Sequence, residues 1–184
     1  MDGPRHTMQI GLATCSSLPE WEVDDQPLVE ALRRRRVRVH HPVWDDATFD
    51  FSTLDACLIR TTWDYEHRRD EFVRWARNTA EHVPFFNHPQ VIEWNTHKSY
   101  LKDLAEAGVP GIPTEWIEKG EAVDLAGVLT SRGWTRGFLK PVVGSTARGT
   151  LRFHDDADSL ERAQTFLDER LAVESMMVQP YLER

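Results

Sequence analysis

The chain has 184 residues, 40 % hydrophobic and 28 % charged, which fits one ordinary or two small globular domains and excludes a disordered chain. Its formal net charge of −8 repels a phosphate backbone, so nucleic acid is not an expected partner. No apolar run reaches the length of a membrane span, residues 1–7 lack the apolar core of a secretory leader, and the two cysteines, Cys15 and Cys57, sit in apolar runs, so buried thiols in a cytoplasmic protein with no membrane partner are expected.

Residues 8–13 (MQIGLA) read as a first strand, followed by a polar loop to residue 22. Asp24-Asp25 then stands as an N-cap before Pro27, Leu28, Val29, Ala31 and Leu32, which share a helical face. Four consecutive arginines, residues 33–36, close that helix, where cations meet the negative end of its dipole. Residues 37–43 read as a second strand and residues 55–61 (DACLIRT) as a third. Between residues 68 and 81, Phe72, Trp75, Ala76 and Ala80 recur at helical spacing. Residues 83–86 are a short fourth strand, stopped by Asn87-His88-Pro89.

This alternation predicts a parallel sheet with helices on both faces, whose ligands bind beyond the carboxyl ends of the strands. The loops at residues 14–17, 44–46 and 61–65 are therefore candidates. The first has no G-x-G-x-x-G pattern, which argues against a dinucleotide there.

A boundary is placed at residues 87–95, giving a front domain over 1–90 and a second over 91–184. In the second, residues 95–107 read as a helix capped by Gly108, and residues 113–117 as extended. Residues 124–131 are a short helix, 137–143 a strand carrying Lys140, 144–150 a flexible turn, and 150–154 a return strand. A helix over 158–171 and a strand over 176–179 complete the order. The seven tryptophans are scattered singly, mostly as core or cleft-wall residues.

Lys140 sits in the apolar strand FLKPVV, where an ammonium needs an anion or a polar cleft. The turn after it, with Gly144, Ser145, Thr146 and Gly149, can fold amides and hydroxyls onto phosphate oxygens. A phosphate clamp and a hairpin whose lysine reaches solvent are both open readings. Lys98 falls in the first turns of the predicted 95–107 helix, either at an anion site or on the surface. Gln179, Pro180, Tyr181 and Leu182 follow the last strand as a linker offering backbone groups to a ligand; Pro180 there is incompatible with continued pairing. Arg60, Thr61 and Asp64, with Thr62, Trp63 and Tyr65, either serve a small zwitterionic substrate or hold the loop through an Arg60–Asp64 pair. The histidines have no metal-binding spacing, and no nucleophile–histidine order stands out, so neither a metal nor catalytic residues are assigned within the chain.

Taken in order, Trp94 to Leu101, Ala107-Gly108-Val109-Pro110 with Pro113-Thr114, the Phe138-Leu139-Lys140-Pro141 strand with its loop, and Val178 to Leu182 resemble an ATP-grasp domain. Within that superfamily the chain is similar to the glutathione-synthetase-like and RimK-like group. Its front segment, with Asp24 to Leu28, Val43 to Asp46 and Arg60 to Tyr65, resembles a bacterial subgroup that includes the cycloserine-forming ATP-dependent cyclo-ligase.

The resemblance implies a Rossmann-like pre-ATP-grasp domain followed by the α+β N-terminal subdomain of an ATP-grasp fold. It implies that Lys98 and Lys140 hold ATP phosphates, that Gly144, Ser145, Thr146 and Gly149 cover them, and that Gln179, the Pro180 carbonyl, Tyr181 and the Leu182 amide hold adenine. The family reaction joins a carboxylate to an amine through an acyl phosphate, here on a small amino-acid-like substrate, and its members are often homodimers. The family's Mg2+ ligands and acyl-phosphate arginine are expected beyond residue 184, with Glu183 a poor stand-in for the ribose-binding acid. This leads to the expectation of an incomplete ATP-grasp enzyme, not competent alone, whose last strand lacks sheet neighbours and bares an apolar face. A truncated, non-catalytic nucleotide- or small-ligand-binding module and an interaction domain without nucleotide are the competing readings.

Overall fold

A computed structural model describes residues 6–18, 20 and 22–182. Two compact units make up the chain, Met1–Trp94 and Asn95–Arg184.

The first unit is a parallel sheet of β1 (Gln9–Thr14), β2 (Arg38–His40), β3 (Ala56–Thr61) and β4 (Phe85–Phe86), in the order β2-β1-β3-β4. The helices α1 (Gln26–Arg34) and α2 (Arg69–Ala80) fall where the periodicity placed them. Because the chain leaves β1 toward β2 and then returns past it to β3, the order reverses between β1 and β3. Strand β2 is shorter than expected: it stops at His40, and only Val43 pairs again, in an isolated bridge to Thr14. Pro42 between them has no N–H to donate and instead accepts from the Thr14 amide. Asp25 stands at the N-cap position of α1 but makes no capping bond; its carboxylate is spent on Arg60.

The core of this unit is aromatic. Trp44, Phe72 and Phe85 are buried with Leu54, Ala76, Cys15 and Cys57, and Trp75 packs against them. Trp75 and Phe72 stack at 5.6 Å, while Trp44 meets Phe72 and Phe85 meets Trp75 edge-on, each at 5.3 Å. Trp63 and Trp94 depart from the core reading, being 44 % and 41 % exposed. Trp21 and Glu183 lie outside the described residues.

A helix not expected from the sequence, α3 (Pro89–Asn95), occupies the segment read as a boundary. Pro89 opens it, since a proline fits the first turn without losing a bond. Its Ile92 joins the first core, which carries the first unit to Trp94.

The second unit is an antiparallel sheet of β5 (Glu115–Ile117), β8 (Met176–Pro180), β6 (Arg136–Pro141) and β7 (Leu151–His154), in the order β5-β8-β6-β7. The helix expected over 95–107 is only α4 (Tyr100–Glu106). It ends in a Schellman closure: the Gly108 amide bonds the Ala105 carbonyl and the Val109 amide bonds that of Leu104, with Gly108 at φ 81°. Helices α5 (Leu125–Arg132) and α6 (Ala157–Leu171) are capped by Asp124 and Asp156, which accept from the Ala126 and Ser159 amides. Their apolar residues Leu125, Leu129, Ala163, Leu167 and Leu171 cover Ile117, Leu139, Phe153, Met176 and Val178 of the sheet.

Two expectations fail at β8. The strand is central, flanked by β5 and β6, and Met176, Met177 and Val178 are fully buried. Pairing also runs through Pro180, opposite Gly137. The Tyr181 amide donates to the Arg136 carbonyl, which puts Pro180 at the alternate position, where β6 asks for no N–H. No helix among the described residues is long and apolar enough to cross a membrane.

Gly137 faces the Phe153 ring so closely that a Cβ would stand 2.2 Å from it. Gly137→Ala is expected to cost about 1–3 kcal/mol by overpacking a strand pair that cannot open, read from the urea unfolding midpoint.

Candidate functional site

Alternation along β6 and β8 sorts their side chains onto two faces. Leu139 and Val178 oppose each other on the helix-covered face, whereas Lys140 opposes Met177 and Phe138 opposes Gln179 on the other. On β5, Trp116 opposes Met177 and so shares that second face.

A cavity of about 670 Å³ opens over it. Lys140, Gln179, Trp116 and Thr114 line it from the sheet side, and α4 with residues 109–113 forms the remaining wall. Gln179 is buried, and its side-chain amide donates to the Thr114 hydroxyl at 2.7 Å, which in turn donates to the Ile112 carbonyl at 2.8 Å. This chain ties the wall segment to β8 and fixes the rotamer of Gln179.

Lys140 is partly buried, with its ammonium 5.6 Å from the Phe138 ring centre. Among the described residues it makes no hydrogen bond or ion pair. Burial holds its pKa below the ordinary lysine value. A cation desolvated without a counter-ion is a standing cost, and an anion entering the cavity removes it.

The other lysine singled out in the sequence is placed differently. Lys98 lies in the turn before α4 and not within a helix. Its amide donates to the Val142 carbonyl and its ammonium to the Gly144 carbonyl, both at 2.8 Å. It thus grips the start of the loop after β6. In that loop Ser145 and Thr146 are exposed, and Ala147 and Gly149 take positive φ of 61° and 69°. Glycine meets that demand freely at 149, where Arg170 lies against it and leaves little room for a side chain. Beyond β8, Tyr181 lies 4.8 Å from the Arg152 guanidinium and 6.0 Å from that of Arg136, and Leu182 is exposed.

In the first unit the candidate substrate residues gather at the carboxyl ends of β1 and β3. Arg60 and Asp64 do not pair with each other. Arg60 donates through Nε to Asp25 Oδ1 at 2.6 Å, with Nη2 at 2.5 Å from the same oxygen. Asp64 accepts from the Trp44 indole at 2.8 Å and from Arg68 at 3.2 Å. Arg68 also reaches Asp45 at 2.7 Å and covers the Trp44 ring at 4.8 Å, so the loops after β2 and β3 are locked together. Thr61 turns inward and donates to the Thr14 hydroxyl at 2.8 Å. Cys15 and Cys57 are buried and unbridged, and burial pushes the Cys57 thiol up to about 12, which rules it out as a nucleophile. The loop carrying Trp44 was a candidate from the sequence, but the pairing of Asp25 with Arg60 was not legible there, since the two lie 35 residues apart.

Residues 10–87 match the family model of the D-cycloserine synthetase DcsG N-terminal domain. The cycloserine biosynthesis protein DcsG of Streptomyces lavendulae is 30 % identical over 167 residues, which are 88 % of this chain and 55 % of that protein. Among solved structures, D-cycloserine synthetase DcsG superposes at a TM-score of 0.81 with 27 % identity, covering 95 % of this chain and 59 % of that one. An ATP-grasp RimK domain protein from Sphaerobacter thermophilus gives 0.71 at 15 % identity, covering 95 % and 64 %. D-alanine–D-alanine ligase of Bacillus anthracis in complex with ATP gives 0.67 at 13 % identity, covering 97 % and 58 %. The chain spans about half the length of the curated relative it matches.

Two tests follow from the geometry. Arg60→Met strands a buried carboxylate and is expected to cost about 3–5 kcal/mol, measured by chemical denaturation. For Lys140, the folded pKa lies below the unfolded one, so its charge costs stability below the folded pKa, and the cost fades as pH rises toward the ordinary lysine value. Lys140→Met is therefore expected to raise the urea midpoint at about pH 7 and to lose that advantage by about pH 10.

Over residues 10–87 the chain matches the DcsG N-terminal domain family, and it shares its fold with part of DcsG and of the ATP-grasp proteins it superposes on.

Proposed function

We propose that the chain is the ATP-binding portion of an ATP-dependent ligase that joins a carboxylate to an amine through an acyl phosphate. The observation that carries this is Lys140, a desolvated cation with no counter-ion among the described residues, in a cavity of about 670 Å³. The cavity has the size of a nucleotide pocket, and its walls pair an apolar lining with a few placed polar groups.

In this reading Lys140 neutralises phosphate charge and gains the partner it lacks. The loop from Gly144 through Gly149 closes over the phosphates with its amides and the hydroxyls of Ser145 and Thr146. Lys98 serves the same region, since its ammonium already stands at the mouth of that loop. Gln179, the Pro180 carbonyl, Tyr181 and the Leu182 amide hold adenine along the exposed end of β8. The solved ATP complex of D-alanine–D-alanine ligase, which shares the fold, supports a nucleotide here.

The reaction moves the terminal phosphoryl group of ATP to a substrate carboxylate. The amine nitrogen then attacks the acyl carbon, inorganic phosphate leaves, and a C–N bond forms. Such transfer depends on positioning and on cations around the moving group, which is what these lysines offer. Mg2+ accompanies ATP in this reading; among the described residues no three His, Cys, Asp or Glu side chains gather to hold it. The amino-acid-like substrate lies at the carboxyl ends of β1 and β3, where Arg60 and Asp64 stand fixed by Asp25, Trp44 and Arg68. Buried, unbridged cysteines suit the cytoplasm.

The test is calorimetric titration of the chain with ATP and magnesium, beside Lys140→Ala. The expected result is binding that weakens by about tenfold or more in the variant. A folded chain that binds no ATP, or a variant that binds as well as the parent, overturns the reading.

A further inference from the structure

The cavity that holds Lys140 has a second cation in its wall, and it is not Lys98. Lys102, on α4, lines the same space, whereas Lys98 is absent from the lining and grips Gly144. The Lys102 ammonium stands 4.7 Å from the centre of the Trp116 ring, and Trp116 itself faces the cavity. Among the described residues Lys102 makes no hydrogen bond or ion pair through its ammonium.

A carboxylate is within ordinary reach, which makes that arrangement informative. Glu106 follows Lys102 by one helical turn and also lines the cavity, but no ion pair joins them. A lysine that precedes its glutamate is the weaker order of such pairs. The indole platform instead draws Lys102 toward the sheet face that carries Lys140 and Gln179. A cation held on a ring keeps its three N–H donors available on the side away from the ring. Among the described residues, two ammonium groups thus share one cavity with a single carboxylate in its lining.

We propose that Lys102 is a second phosphate-holding cation of this cavity, placed by Trp116 and acting beside Lys140. The inference rests on the ATP reading and adds to it a residue on α4. Trp116 is the positioning residue: it fixes where the ammonium sits without touching the phosphates.

The experiment is calorimetric titration with ATP and magnesium of the parent chain, Lys102→Met, Lys102→Arg and Lys140→Ala. Lys102→Met keeps the stem on the indole and removes the charge; it is expected to weaken ATP about tenfold. Lys102→Arg keeps charge and ring contact and is expected to stay within about threefold of the parent. Near-UV circular dichroism reports whether the tryptophan environment is intact in each. Parent-like affinity in Lys102→Met, with Lys140→Ala impaired, overturns this inference and leaves the ATP reading standing. Equal losses in the Met and Arg variants make the position a packing one and also overturn it. A folded parent that binds no ATP removes the ATP reading, and this inference with it.

Discussion

The register between β6 and β8 decides which side chains of the second unit can meet a ligand. Leu139 opposite Val178 is committed to the helix-covered core, so Lys140 and Gln179, each one residue on, must face the other way. A slip of one residue would bury the lysine under α5 and α6 and turn Leu139 toward solvent. The cost of burying an unpaired ammonium among Leu125, Leu129 and Leu167 makes that slip prohibitive. The same hydrophobic pattern that packs the unit therefore aims its cation, and Gly137 keeps the strands close by leaving room for the Phe153 ring.

The first unit solves a different problem with different means. Its sheet is parallel and its core aromatic, so the polar groups at the carboxyl ends of its strands have to be held from beneath. Asp25 is almost wholly buried and spends its carboxylate on Arg60. Such a pair adds little net stability, because desolvation offsets most of the attraction. What it does fix is the direction of the Arg60 side chain, which remains 38 % exposed. Arg68 does the same for Asp64 and Asp45 while covering Trp44. Both devices trade side-chain freedom for geometry at the sheet end where an open α/β fold binds its ligands.

Much of this was legible from residue order. The strand DACLIRT, the helix bearing Phe72 and Ala76, and the β6–turn–β7–α6 succession each announce themselves through local pattern. Elements shaped by tertiary context did not. Asn87-His88-Pro89 reads as a breaker, yet Pro89 opens α3, because a proline stops a helix within it and starts one at its first turn. Pro180 reads as the end of pairing, yet ladder parity leaves it harmless. The helix over 95–107 was overlong because its spacing held across Asn95 to Ser99, where the backbone instead turns to bring the Lys98 amide onto Val142. In the site, Lys140 was visible as a charge in an apolar strand. Lys102 was not, because an exposed lysine on a short helix looks ordinary until Trp116, on another element, is seen beneath it.

The placement of the three lysines bears on how a nucleotide could be held without a preformed anion trap. Lys140 carries its desolvation cost at all times, whereas Lys102 rests on a ring and Lys98 on a carbonyl. The ring contact of Lys102 is weak and reversible, so that ammonium can turn toward an incoming phosphate at little cost. In a chain of net charge −8, the two ammonium groups of this cavity, Lys140 and Lys102, have no acid partner among the described residues. A polyanion entering would satisfy Lys140 first, since that group has the most to gain. The fold thus aims one half-buried charge, set by strand register, into the cavity it lines.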